Sequence, residues 1–229
     1  MHTGFEAIVL VHGLWMHGIV FFRQQQILTR RGFAVRTFSY PSVRRGLAAN
    51  TDALARFIAD LDAPRIHLVG HSLGGLLVLS LLSQHREPRL GRAVLMGSPC
   101  CGSHCAQVLT RIPGLSAIVG HSVRDWLALP APQIPEEVEI GVISGDRSLG
   151  MGRLLPGLPK PNDGIVALDE TRFAQATDSI TLHVGHSEML FSSACADQIV
   201  AFLGTGHFLH APGLRARRAA AATRSRRNG

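Results

Sequence analysis

At 229 residues with 46% apolar content, the chain has the size and make-up of one globular domain with a substantial core. No run of about 18 apolar residues is present to cross a bilayer, and Met1 to Ala7 lacks the basic start and apolar stretch of an export signal, so a cytoplasmic protein is expected. The net charge of +7 resembles a nucleic-acid signal until it is located: Arg215, Arg217, Arg218, Arg224, Arg226 and Arg227 supply +6 of it in an acid-free tail.

Short apolar runs alternate with amphipathic stretches, which predicts a parallel sheet with helices on both faces. Ala7 to Val11 reads as a buried strand, Phe21 to Arg31 as a helix closed by Gly32, and Ala34 to Phe38 as the second strand. After Asn50, read as an N-cap, Leu54, Phe57, Ile58 and Leu61 fall on one helical face. Ile66 to Val69 is the third strand, Leu73 to His85 a helix and Ala93 to Met96 the fourth strand. Ser98 to Pro135 is punctuated by Gly and Pro without a sustained period, as expected of a short functional cover. Val138 to Ser144 and Ser179 to Val184 complete the strands, and a last helix is apolar at Cys195, Ile199, Phe202 and Leu203. The domain is expected to end at residue 206. Residues 207–229 read as a solvated basic tail, able at most to touch an anionic surface weakly.

Gly70-His71-Ser72-Leu73-Gly74 lies directly between a strand and a helix, the context that a G-x-S-x-G nucleophile elbow requires. Its glycines permit the sharp turn that lifts a serine hydroxyl off the sheet, at a helix N-terminus favourable to negative charge. Ser72 is therefore the candidate nucleophile. His186, in the loop after the last strand, opens on the same carboxyl edge and is the candidate base. His71 is read as packing only, and His183 as part of the strand. Two carboxylates compete as the acid: Asp163, in an N-D-G turn suited to holding an imidazole, and Asp146, which resembles an ordinary strand-end turn; Asp163 is preferred.

Oxyanion donors are expected from the backbone N–H of Leu73 and, in the loop after the first strand, of Leu14. His12 is read as bracing that loop, and Trp15 and Met16 as lining an acyl pocket. The cysteines crowded into Cys100, Cys101 and Cys105, with Cys195 apart, match no metal-ligand spacing, and reduced thiols are expected. Neither metal nor organic cofactor is called for.

The runs VLVHGLW, LVGHSLGG, MGSPCCGS, PNDGIV and VGHSEMLFS together resemble the α/β-hydrolase superfamily, and within it the small bacterial lipases and esterases, from Ala7 to Leu203. The resemblance implies a minimal α/β fold of about six parallel strands in spatial order 2-1-3-4-5-6. It also implies hydrolysis of a small-molecule ester, lipids included, through an acyl-enzyme on Ser72, Asp163 and His186. A thioesterase or acyltransferase would use the same groups, and a non-catalytic binding protein of the same fold is the alternative from another class. No nucleic-acid partner is expected.

Overall fold

The computed structural model describes residues 6–111, 116–130, 132–149 and 157–210. The arginines of the tail and Met1 to Phe5 lie outside these residues. Six strands form one sheet: β1 (Ala7–Val11), β2 (Ala34–Phe38), β3 (Ile66–His71), β4 (Leu90–Met96), β5 (Ile140–Gly145) and β6 (Asp178–Leu182). Their order is β2-β1-β3-β4-β5-β6 and every pairing is parallel, as the sequence and its resemblance predict. In such a sheet all strands end at one edge, and the loops leaving that edge meet over it.

The two faces are filled by alternate residues of the same strands, the period-two consequence of the pleat. Ala7, Val9 and Val11 of β1 join Ile66 and Leu68 of β3 in one cluster, while Ile8, Leu10 and Val69 point into the other. The first face is covered by α2 (Leu47–Ala59) and α3 (Leu73–Gln84). The second carries α1 (Phe22–Arg30) and α6 (Ser193–Thr205), with Leu28, Ile199 and Phe202 fully buried. Helix α3 is buried around its whole circumference from Leu73 to Leu82, packed between the sheet and α2. Each such leucine contributes about 2 kcal/mol of burial, so the helix that follows Ser72 is a rigid base.

Three expectations need correction. Asn50 does not cap α2: the helix starts at Leu47 after Gly46, and Asn50 lies inside it, buried, donating from Nδ2 to Ser122 Oγ at 3.0 Å. The upstream turn is capped instead by Asp125, whose Oδ2 accepts the Leu47 N–H at 2.8 Å, a tertiary contact that local sequence does not reveal. The cover is helical, with α4 (His104–Arg111) and α5 (Ser116–Ala128, kinked at Gly120, φ 76°). Finally, the fold continues past Gly206. Phe208 is fully buried against Phe202 at a ring separation of 4.9 Å, and His210 Nε2 meets Asp178 Oδ2 at 2.8 Å. Among the described residues no helix is long and apolar enough to cross a membrane.

Candidate active site

All six parallel strands end at the carboxyl edge of the sheet, and Leu14, Ser72, Asp163 and His186 lie on segments that leave it. Ser72 closes β3 with φ 55° and ψ −123°, a backbone region closed to most L-residues. Such a conformation costs on the order of 1–3 kcal/mol and persists only where packing over-determines it. Here the packing is visible: a Cβ on Gly70 would stand 2.5 Å from the backbone of Gly75, and one on Gly74 would run into the Val11 carbonyl. The Ser72 N–H donates to Met96 O at 2.9 Å, tying the turn to the end of β4.

His186 is buried and approaches Asp163 through Nδ1, 2.7 Å from Oδ2. The contact is built twice over, because the His186 N–H also donates to the Asp163 carbonyl at 2.8 Å. Asp163 itself is buried. Its other oxygen, Oδ1, accepts the N–H groups of Ile165 at 3.0 Å and Val166 at 2.7 Å, so one carboxylate oxygen is anchored and the second is aimed. Gly97, directly after β4, has φ 55°, and a Cβ there would lie 3.1 Å from both Asp163 Oδ2 and His186 Nδ1. Asp146, the competing carboxylate, instead pairs with the exposed His183 at 2.8 Å. The structure brings His186 to Asp163.

His71 does more than pack. It is fully buried, its ring lies 4.7 Å from that of His186, and its Nε2–H donates to the His186 carbonyl at 2.9 Å. That bond leaves Nδ1 as an acceptor, with no hydrogen-bond partner among the described residues. Burial, aided by the neighbouring His186, drives the His71 imidazole down to about 3, so it stays neutral.

The loop after β1 is locked by a second histidine. His12 Nε2 accepts the Tyr40 N–H at 3.2 Å, so Nδ1 carries the proton and donates to Gly13 O at 2.8 Å. The Tyr40 hydroxyl, pushed up by burial and hence a durable donor, returns a bond to His12 O at 2.9 Å. His12 is thus the brace expected of it. Gly13 faces Ser72 closely, since a Cβ there would lie 3.1 Å from Ser72 Cβ. Leu14 follows directly on this loop, and Leu73 opens α3, where first-turn N–H groups have no helical acceptor. Trp15 is half exposed with φ 57°, its N–H bonded to Ser42 Oγ at 3.1 Å. Met16 is partly buried against the second core.

The four cysteines are free thiols, and burial raises Cys100 to about 12 and Cys105 to about 11. Among the described residues no three His, Cys, Asp or Glu side chains converge as a metal would require. Sequence reasoning missed Gly97, visible only as a glycine following a strand, and the bond from His71, for which the sequence carries no signal.

A family model described as the alpha/beta hydrolase family matches residues 8–222. The chain belongs to the alpha/beta hydrolase family. Among curated proteins this family member is 25% identical over 200 residues to Rv2715, an uncharacterized protein of Mycobacterium tuberculosis (strain ATCC 25618 / H37Rv), covering 73% of this chain and 58% of that one. It thus spans less than two thirds of that relative's length. An uncharacterized protein of Mycobacterium bovis, Mb2734, matches equally. Among solved structures, the mature form of Bacillus licheniformis lipase BlEst2 superposes with a TM-score of 0.69 at 18% identity, over 88% of this chain and 92% of that one. The metagenomic carboxyl esterase MGS0156 gives 0.66 at 20%, over 81% and 66%. At these identities the likeness of this alpha/beta hydrolase to both is one of fold.

Proposed function

We propose that this protein is a serine hydrolase that cleaves carboxylic esters through an acyl-enzyme, with Ser72 as nucleophile, His186 as general base and Asp163 as its orienting acid. The observation that carries the reading is the buried 2.7 Å bond between His186 Nδ1 and Asp163 Oδ2, on the same sheet edge as the strained Ser72. A carboxylate at Nδ1 keeps the proton there and leaves the lone pair on Nε2. That nitrogen takes the Ser72 proton as the serine oxygen attacks the ester carbonyl, and returns it to the departing alcohol. Water, deprotonated by the same imidazole, then releases the acid.

The oxyanion is assigned to the N–H groups of Leu14 and Leu73. The locked His12–Gly13 turn and the first turn of α3 support that assignment, because both backbones are held before substrate arrives. Trp15 and Met16 are assigned to the acyl side of the site. The half exposure of Trp15 supports a site open to soluble substrates, small or medium esters rather than only lipid at an interface. Thioester cleavage and transfer to an alcohol would use the same groups, and a panel of acyl donors with and without added alcohol separates them.

The deciding experiment is Ser72→Ala. Hydrolysis of p-nitrophenyl butyrate and labelling by a fluorophosphonate are both expected to vanish while the circular dichroism spectrum is unchanged. Labelling retained at another serine would overturn the assignment.

A further inference from the structure

Glu170 has no part in the chemistry above, yet it sits where the cover meets the loop that carries Asp163. It belongs to the short 3-10 turn Leu168–Thr171. Its Oε2 accepts the Ala167 N–H at 2.7 Å, and Oε1 accepts the N–H of His104, the first residue of α4. Its backbone carbonyl accepts the Cys101 N–H at 2.9 Å. Two thiols add to the seam, Cys105 donating to Ile165 O at 2.8 Å and Cys101 to Arg172 O at 2.8 Å.

These contacts end on the turn that holds the acid. Ala167 bridges Asn162, and the Asp163 N–H donates to Val166 O at 3.1 Å, while Ile165 and Val166 supply the N–H groups that grip Asp163 Oδ1. A carboxylate accepts on both oxygens at once, so Glu170 can hold N–H groups from two separate segments. The amide of a glutamine cannot, because one of its two ends is a donor. The negative charge also suits the start of α4, where N–H groups point outward.

We propose that Glu170 is a positioning residue: it clamps the 162–167 turn against the first cover helix and thereby sets where Asp163 Oδ2 meets His186. The proposal rests on the serine-hydrolase reading above. Its consequence is that α4 and the acid are one mechanical unit, and a displacement of the cover is felt at His186. Mispositioning by a fraction of an ångström at a reacting group is expensive in rate, with 1 Å costing as much as about a hundredfold.

The test is a double-mutant cycle read on soluble p-nitrophenyl butyrate. Glu170→Gln is expected to lower kcat on the order of tenfold with KM within about twofold, since the substrate contacts are intact and only the chemical step is affected. In an Asp163→Asn background the same change is expected to cost less than about twofold, because the group it positions is already disabled. Should Glu170→Gln not accumulate as folded protein, Ala167→Pro removes one of the two N–H donors at a backbone φ of −71° that proline adopts, and the same non-additivity is expected. A wild-type kcat in a folded variant, a loss confined to KM, or an equal fold-loss in both backgrounds overturns the proposal alone. Activity retained by Ser72→Ala overturns the serine-hydrolase reading and this proposal with it.

Discussion

His71 donates its Nε2–H to the carbonyl oxygen of His186 at 2.9 Å, so the residue that precedes Ser72 also holds the loop that carries His186. The end of β3 and the loop after β6 are thereby linked through Nε2 of His71.

Because His71 titrates at about 3 in the folded protein, well below its ordinary value, its proton binds preferentially to the unfolded chain between those limits. The sign follows: the unfolded state holds more protons, so stability is fully present above about pH 6.5 and falls as pH drops toward 3, by at most about 1.4 kcal/mol per pH unit from this group. His12 and His67, also lowered by burial, act in the same direction. Urea melts at pH 7, 5 and 4 are expected to show a shallower pH dependence for His71→Phe than for wild type. At pH 7 the substitution is expected to lower kcat, because the His186 carbonyl loses its donor. Parallel pH profiles for the two proteins would contradict the assignment.

Asp163→Asn retains an oxygen for the Ile165 and Val166 N–H groups and turns an NH2 toward His186 Nδ1. The imidazole then keeps its proton on Nε2 and cannot accept one from Ser72, so kcat is expected to fall on the order of 10³ to 10⁴ with little change in melting temperature. Asp146→Asn disturbs only an exposed pair with His183, and its effect is expected to stay within about threefold, since exposed pairs contribute at most ~1 kcal/mol. Steady-state kinetics of the two variants side by side, with thermal melts, checks the ranking.

At Gly97, the positive φ and the lack of room act together. Gly97→Ala adds a Cβ 3.1 Å from Asp163 Oδ2 and His186 Nδ1 and 3.2 Å from Met189 Sδ, at φ 55°. A loss of at least about 1 kcal/mol in stability is expected from the backbone alone, together with a fall in kcat as the pair is pushed apart. Chemical denaturation and turnover on the same preparation test both effects, and an active, fully stable variant would show that the loop has slack.

Trp15→Ala is expected to raise KM for medium-chain esters and to leave short-chain esters nearly unchanged, because a half-exposed ring reaches only the far part of an acyl chain. A chain-length series of p-nitrophenyl esters reads this directly.

The sequence by itself determined the sheet, the sharp turn at Ser72 and the placing of His186 at the same edge. Period-two and helical patterns are local, and the glycines of Gly70-His71-Ser72-Leu73-Gly74 announce a turn that nothing bulkier could make, so Ser72 was legible without a neighbour in view. His186 was legible because a loop after the last strand of a parallel sheet must open at the same edge as the elbow. What only the tertiary structure decided are the facts that depend on distant segments meeting. The choice between Asp163 and Asp146 turns on which carboxylate reaches Nδ1 of an imidazole elsewhere in the chain, and Asp146 is spent on His183 instead. The start of α2 is set by Asp125, a residue of the cover, rather than by Asn50 within its own helix. The fold runs on to His210 because Phe208 finds Phe202 and His210 finds Asp178, partners that local composition does not reveal. Local propensity writes the elements, whereas the direction in which a buried side chain points is set by what folding brings against it.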